Sequence, residues 1–420
     1  MLKRFIFIFI LLVSFHMARA AYIFIPMDEK QTDHLKAYGM TYWVISTGIP
    51  ADWLLNFRGG SFAFPFTDIF EKECRLRAVS YQVIADVQYQ KIKNEIANPE
   101  VNQEVVKLEK APKIAVYSPK TKQPWDDAVT LVLTYAEIPY DVIYDDEVLQ
   151  NKLHLYDWLH LHHEDFSGQS GKFWASHRHQ PWYMEEQREN KEIAERWGYN
   201  KISQLKLAVA KKIKEYVVGG GYLFAMCAAA DTYDIALAAD GVDICSREFD
   251  GDPMDPRAQQ KLNFENTFAF QNFTLERSPM VYEFSSIDAT KDHGILHEQT
   301  DLFTLFEFSA KWDIIPTMLC QNHTRVVKGF MGQTTAFRSK FLKPEVLVLG
   351  ENKALGEARL IHGTYGKGMW TFYGGHDPED YQHIVGEPPT ELSLYPNSPG
   401  YRLILNNVLF PAAKKKKQKT

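Results

Sequence analysis

The spacing of hydrophobic residues along this chain changes repeatedly between that of a buried strand and that of a helix. Short apolar runs bounded by turn residues predict strands, whereas apolar residues three or four positions apart predict helices. The predicted strands are residues 113–118, 138–146, 156–166 and 222–226, and the predicted helices are residues 128–136 and 203–218. Strands and helices that alternate in this way predict an α/β fold, with a parallel sheet and helices on both faces.

The region before this pattern has a smaller pattern of its own. Residues 22–27 and 51–57 read as strands, and residues 35–47 read as a helix between them. The expected segments are an N-terminal α/β unit at 21–110 ending in a polar linker at 96–113, a larger domain at 111–411 with insertions near 167–200 and 245–340, and a basic tail at 412–420. Insertions of such length in a compact domain are often lids or binding loops.

Composition and the first residues change this picture in two respects. The chain of 420 residues is 45% hydrophobic with a formal net charge of −6, which is typical of a globular protein and gives no electrostatic reason for a nucleic-acid partner. The first residues, MLKRFIFIFILLVSFHMARA, have a basic start, an apolar run and a small-residue end, so we expect a signal peptide cleaved after Ala20. Because no later segment is long enough for a membrane span, the sequence predicts an exported, periplasmic or secreted protein.

One of the four cysteines has a setting that suggests chemistry. None of them forms a closely spaced pair, so the sequence predicts neither a disulfide framework nor a zinc knuckle. Cys227 directly follows the predicted strand 222–226 and directly precedes Ala228, where a helix begins. A strand that turns at once into a helix lifts a nucleophile out of the sheet, and the helix start favours the thiolate. Cys227 is therefore the candidate nucleophile.

A histidine in a matching position follows the last predicted strand. Residues 369–373 (MWTFY) lead through two glycines to His376, with Asp377 and Glu379 close behind. A histidine beside a thiol nucleophile serves as base and acid, and a carboxylate orients it. We expect His376 in the first role and Glu379, or else Asp377, in the second.

The remaining candidate residues would surround this pair. The backbone N–H of Ala228, with another from the loop near Gly168, would hold an oxyanion. That loop follows the strand predicted at 156–166, and its polar residues His163, Glu164 and Asp165 would line the pocket.

The small-residue turn at Cys227 and the late His-Asp-Pro-Glu resemble the class I glutamine amidotransferase-like superfamily, whose usual signature is Gly-x-Cys-x-Gly and a later His-x-Glu. Ala225 and Ala229 stand in place of the two glycines, and His376 and Glu379 are one residue further apart than in that pattern. The resemblance covers roughly residues 113–411. It implies a flavodoxin-like sheet and hydrolysis or acyl transfer at an amide-like substrate, without a cofactor.

Two further resemblances concern the substrate and the whole chain. The ending GKGMWTFYGGHDPEDY is similar to the trehalose-utilisation (ThuA-like) branch of that superfamily, which implies a carbohydrate-derived substrate. The whole chain resembles an exported family commonly labelled asparagine synthetase B. Genuine enzymes of that type expose a catalytic cysteine as residue one and carry an SGGxDS-like loop. This chain has neither feature, so the label does not imply asparagine synthesis here.

Two other interpretations remain open at this stage. In the first, the protein is a non-catalytic envelope protein that binds a glycan or metabolite, with Cys227 serving only as packing. In the second, it is a metal-dependent hydrolase, in which the candidate ligands are His162, His163, Glu164 and Asp165 with His177 or His179. Strand alternation would divide these side chains between two faces unless the strand ends by His163.

Overall fold

The computed structural model describes residues 21–121, 123–293, 297–382 and 384–414. The predicted signal peptide and the last residues of the basic tail lie outside them. The described chain forms an α/β fold with two sheets. Within it, no helix combines the length and the apolar character that crossing a membrane requires.

The N-terminal unit is built on an antiparallel sheet. Its strands are β1 (Ala21–Ile25), β2 (Ala51–Leu55), β3 (Ser61–Pro65), β4 (Gln82–Ala85) and β5 (Glu104–Leu108), in the spatial order β4-β1-β3-β2-β5, and its helices are α1 (His34–Ser46), α2 (Asp68–Leu76) and α3 (Asp86–Ala97). The two strands and the helix expected at 22–57 are confirmed. The linker expected at 96–113 instead contains β5, because Glu104, Val106 and Leu108 alternate along one buried face.

The second sheet contains the remaining strands. They are β6 (Ile114–Tyr117), β7 (Asp141–Ile143), β8 (Trp158–Leu161), β9 (Tyr222–Met226), β10 (Leu302–Leu305), β11 (Val326–Lys328), β12 (Phe337–Arg338), β13 (Leu347–Asn352), β14 (Glu357–Tyr365) and β15 (Gly368–Tyr373). The spatial order is β11-β10-β13-β14-β15-β9-β8-β6-β7, with β12 paired to β14.

Helices connect and cover these strands. They are α4 (Ala128–Tyr135), α5 (Asp145–Leu149), α6 (Trp174–His177), α7 (Pro181–Arg196), α8 (Ile202–Gly219), α9 (Ala228–Ala238), α10 (Arg247–Asp250), α11 (Ala258–Lys261), α12 (Thr290–His293), α13 (Ile314–Leu319) and α14 (Pro399–Leu409). Single turns of 3-10 helix occur at Lys152–Leu155, Ser170–Lys172, Phe264–Asn266, Ser339–Phe341, Leu392–Leu394 and Phe410–Ala412.

The second sheet is parallel in one half and antiparallel in the other. Strands β7, β6, β8, β9 and β15 are parallel neighbours, as the alternation of strands and helices predicts. Beyond β15 the sheet continues through β14, β13, β10 and β11 with antiparallel pairing. The tight turn between Tyr365 and Gly368 starts this change, because a short hairpin can join only antiparallel strands. The sheet is therefore mixed rather than wholly parallel.

A hydrophobic core lies on each face of the parallel strands. Trp158, Phe224 and Met226 face the first core, which also contains residues of α1, α4, α14 and the N-terminal sheet. Leu161 and Ala225 face the second core, under α8 and α9. The first core is thus shared between the two sheets, so the N-terminal unit packs onto one face of the large one.

Candidate functional site

The carboxyl ends of three neighbouring strands bring the candidate residues to one edge of the sheet. Strand β9 lies between β8 and β15, with Leu161 opposite Ala225 and Tyr373 opposite Met226. The segments that leave these strands stay in contact. The amide of Cys227 donates to the Gly375 carbonyl oxygen at 3.2 Å. This edge is where ligands bind in open α/β sheets.

Cys227 occupies a strained turn between β9 and α9. Its φ of 52° and ψ of −142° lie in a region that L-residues with a Cβ rarely adopt. The alanines that follow leave room for the chain to turn at once into α9. The strand, turn and helix predicted around Cys227 are therefore confirmed. The amide of Ala229, in the first turn of α9, donates to the His162 carbonyl oxygen at 2.9 Å.

The thiol of Cys227 is buried and protonated at neutral pH. It is a free cysteine with 4% of its surface exposed, and it belongs to the core that contains Ala225 and Tyr233. Its Sγ lies 4.0 Å from the carbonyl oxygen of Gln333. Burial raises the pKa of the Cys227 thiol to about 12, although the Ala228 amide, the expected oxyanion donor, is directed at the same sulfur and lowers the pKa in part. A thiol in this state is a poor nucleophile.

Three imidazoles gather at the carboxyl ends of β8 and β15. The ring of His162 stacks on that of His163 at 3.9 Å and on that of His376 at 4.5 Å, measured between centroids. His163 and His376 are 4.7 Å apart. Strand β8 ends at Leu161, so strand alternation does not divide the two adjacent histidines. The Cys227 thiol packs in the second core, whereas the His376 ring stacks on that of His162.

Two consecutive aspartates hold this histidine cluster from the start of α4. Asp127 caps the helix by accepting the Thr130 amide at 2.8 Å, and its Oδ2 lies 3.1 Å from both His160 Nε2 and His162 Nδ1. Burial favours the neutral acid, but the imidazoles outweigh it and hold the pKa of Asp127 well below its usual value. Burial lowers the pKa of His160, and the Asp127 carboxylate opposes that fall. Asp126 Oδ1 lies 3.5 Å from His376 Nε2.

The carboxylates expected to orient His376 have other contacts. Asp377 is fully buried, and its Oδ1 accepts the Glu379 amide at 2.8 Å. Burial raises the pKa of the Glu379 carboxyl, and a hydrogen bond from Ser398 opposes that rise. The carboxylate seen beside the His376 ring is that of Asp126, which was not among the expected site residues.

The loop after β8 serves mainly to build the protein interior beside the cluster. Glu164 accepts a hydrogen bond from Tyr144 at 3.3 Å, and burial raises its pKa to about 8. Asp165 accepts the amides of Ser167 at 2.7 Å and Gly171 at 3.1 Å, which closes the loop on itself. Gly168 has a φ of 80° and packs so closely on Ser203 that a Cβ would lie 2.5 Å from that side chain. Of the loop residues expected to line the pocket, His163 is the one that joins the histidine cluster.

Aromatic rings surround the open side of His163. The Trp125 ring lies 5.5 Å from His163, 5.2 Å from Phe173 and 5.1 Å from Trp182. Phe173 also contacts Tyr282 at 5.8 Å. We call Trp125, Phe173, Trp182 and Tyr282 the aromatic wall. Phe173 and Trp182 belong to the expected insertion at 167–200 and Tyr282 to that at 245–340, so both insertions contribute to the wall beside the histidine cluster.

A cavity of about 510 Å³ lies at the opposite edge of the same strands. It is lined by Asp157, Tyr216 and Tyr222, which precede or begin strands rather than follow them. Because ligands of parallel α/β sheets bind at the carboxyl ends, the histidine cluster is the better candidate site.

Sequence reasoning missed the two aspartates as site residues. Asp126 and Asp127 directly precede the predicted helix 128–136, a position that indicates only a helix start. The signal that could have located Asp127 is topological: β6 and β8 are parallel neighbours, so the segment after β6 passes the end of β8 and its histidines.

Comparisons with known proteins leave the family open. No family model and no curated protein matches the chain. Among solved structures, a cytoplasmic protein from Salmonella typhimurium is similar with a TM-score of 0.35 and 12% identity, over 72% of this chain and 100% of that one. A cold-adapted β-galactosidase from Rahnella sp. R3 is similar with a TM-score of 0.25 and 12% identity, over 66% of this chain and 30% of the enzyme.

Proposed function

We propose that the protein is an exported hydrolase of the amidotransferase-like, flavodoxin-type class, acting on an amide-like or carbohydrate-derived substrate. One observation carries the proposal: His162, His163 and His376 meet at the carboxyl ends of β8 and β15, supported by two partly buried aspartates. Imidazoles held in this way are suited to proton transfer near neutral pH. The five parallel strands between helices support the flavodoxin-type assignment.

Water is the nucleophile in this mechanism. For an amide substrate, the His376 imidazole accepts a proton as the water oxygen bonds to the carbonyl carbon. The same proton then passes to the leaving nitrogen as the C–N bond breaks, which returns the imidazole to its starting state. Asp126, 3.5 Å from His376 Nε2, is the positioning residue that stabilises the imidazolium between these two steps.

The aromatic wall supports a carbohydrate-derived substrate. Trp125 and Trp182 are only partly buried and lie beside His163, at the exposed side of the cluster. Aromatic faces pack against the apolar faces of sugar rings while their polar edges remain solvated. A sugar bound on this wall would present its substituents to the imidazoles.

Hydrolysis of chromogenic amides, esters and glycosides by wild type and His376→Asn tests the proposal. We expect the variant to lose about 10²–10⁴-fold in kcat, the usual range for a general acid–base group. His154→Asn is the matched control, because His154 is exposed and hydrogen-bonds the Asn151 carbonyl away from the cluster. Full activity of His376→Asn would overturn the proposal. Glycan binding without turnover, weakened by Trp125→Ala, would favour the binding-protein alternative.

A cysteine-dependent reaction is the second candidate, and the strained backbone of Cys227 favours it, since strain of this kind is concentrated at functional sites. The assay that separates the two is Cys227→Ala. Retained activity assigns the reaction to water, and loss of activity assigns it to the thiol. The pH dependence of iodoacetamide labelling gives an independent reading, because an activated thiol reacts below the ordinary pKa of about 8.5.

A further inference from the structure

We infer that His162, His163 and His376 form a binding site for a divalent transition-metal cation of the zinc class. The inference rests on the proposed hydrolysis for its purpose and changes one step of it: a bound cation would lower the pKa of the attacking water, so His376 would serve as a ligand in place of the proton acceptor. The existence of the site is argued from the arrangement of the three histidine side chains alone.

The geometry of the cluster suits a cation held by three imidazoles. One ring nitrogen from each histidine lies within 4.8 Å of the other two. In a tetrahedral zinc site with bonds of about 2.0 Å, neighbouring nitrogens are about 3.3 Å apart. Binding must therefore draw the nitrogens together by at most about 1.5 Å, which side-chain rotation supplies. Three imidazoles also leave the fourth position for water, as in catalytic zinc sites.

The second ring nitrogen of His162 points independently to a ligand. The side chain is 1% exposed, and its Nε2 has no hydrogen-bond partner. Its Nδ1 lies 3.1 Å from Asp127 Oδ2, so the proton of the neutral ring belongs on Nδ1 and a bare lone pair remains on Nε2. A buried lone pair without a donor is costly, and a cation satisfies it. The carboxylate–imidazole arrangement is that of metal-binding histidines.

In the two other groups of potential metal ligands in the described chain, the side chains already contact polar partners within the protein. Asp127 is hydrogen-bonded to His160 Nε2 at 3.1 Å, and His162 Nδ1 lies 3.1 Å from the same carboxylate. Asp243, Cys245 and Asp250 surround the ammonium of Lys201, which lies 2.5 Å from Asp243 and 2.9 Å from Asp250.

The charges near the cluster favour a cation. Histidine binds metal as the neutral imidazole, so the three ligands would add no charge, while Asp126 and Asp127 place two carboxylates beside them. A divalent cation would therefore be compensated at short range. His163 is the partly exposed member and faces the aromatic wall, which leaves the substrate side open to the fourth position.

Metal binding is tested on tag-free mature protein, stripped with a chelator and then titrated with Zn²⁺ or Co²⁺. We expect elemental mass spectrometry to find one Zn²⁺ per chain. The Co²⁺-loaded protein should show the visible absorption bands of a tetrahedral site. His163→Gln should weaken Zn²⁺ affinity at least about 100-fold, and Asp127→Asn about 10- to 100-fold. His154→Gln should bind as wild type. His163→Gln is chosen because this side chain is only partly buried, and a thermal melt establishes that the variant is folded.

The outcomes separate this inference from the proposed hydrolysis. Stoichiometric metal without any hydrolysis supports the site and removes the proposed function. Hydrolysis that survives chelation, with no binding of Zn²⁺ or Co²⁺ at micromolar concentration, overturns the metal site and leaves the hydrolase. Equal Zn²⁺ affinity of wild type and His163→Gln also overturns the site.

Discussion

The strained backbone of Cys227 predicts an unusual order of stability between two substitutions. Residue 227 has a φ of 52° and a ψ of −142°, a conformation that costs a residue with a Cβ about 1–3 kcal/mol. Cys227→Ala and Cys227→Gly both remove the buried thiol, but only glycine also removes the strain. Glycine in turn adds about 0.5–1 kcal/mol of unfolded-chain entropy. We therefore expect the glycine variant to be more stable than the alanine variant by about 0.5–2 kcal/mol.

Urea unfolding of both variants, followed by circular dichroism, measures this difference. Ala236→Gly is the control, because Ala236 is buried in the middle of α9, where the backbone is helical. There we expect the ordinary order, with glycine less stable than alanine by about 1 kcal/mol. An alanine variant at residue 227 as stable as the glycine variant, or more stable, would refute the strain argument.

Two buried charged groups give further predictions. Lys206→Met should lower the free energy of unfolding in urea by about 3–5 kcal/mol, because it leaves the buried Asp145 carboxylate, 3.0 Å from Nζ, without its charged partner. The double variant Lys206→Met with Asp145→Asn should recover most of that loss, and no recovery would contradict the argument from the buried charge. Burial raises the pKa of Asp288 to about 7, so the native state holds a proton that the unfolded state releases. The stability from that proton is present below about pH 4 and is lost as pH rises through about 7, at up to about 1.4 kcal/mol per unit. Asp288→Asn should flatten this decline in unfolding free energy, and an unchanged slope would assign it to other groups.

The order of strands and helices around the site follows from local patterns, which is why the sequence predicts it. Apolar runs locate β6, β8 and β9, and the small residues after Met226 predict the turn into α9. Parallel pairing then brings Cys227 and His376 to neighbouring strand ends, as expected. The antiparallel half of the sheet was not predicted, because pairing direction depends on contacts between segments far apart in the chain.

The composition of the site depends on side-chain direction, which local spacing does not determine. The Cys227 thiol packs in the second core while the His376 ring stacks on His162, and burial rather than sequence motif decides the state of the thiol. The three histidines meet because β8 ends at Leu161, one residue before His162. Asp127 joins them only through the pairing of β6 with β8. These contacts join segments far apart in the chain. The sequence therefore identifies the types of side chain at the site but does not show which of them lie together.

The shared first core has a consequence for how the protein acquires its structure during synthesis. Helix α1 packs against α14, and the His34 amide donates to Asn397 Oδ1 across 363 residues. Leu108, at the end of β5, pairs with Ala413. The N-terminal unit therefore lacks this packing partner until α14 has been made. Contacts of such sequence separation slow folding. The nascent N-terminal unit would remain loosely packed during translation and dependent on chaperones until α14 arrives.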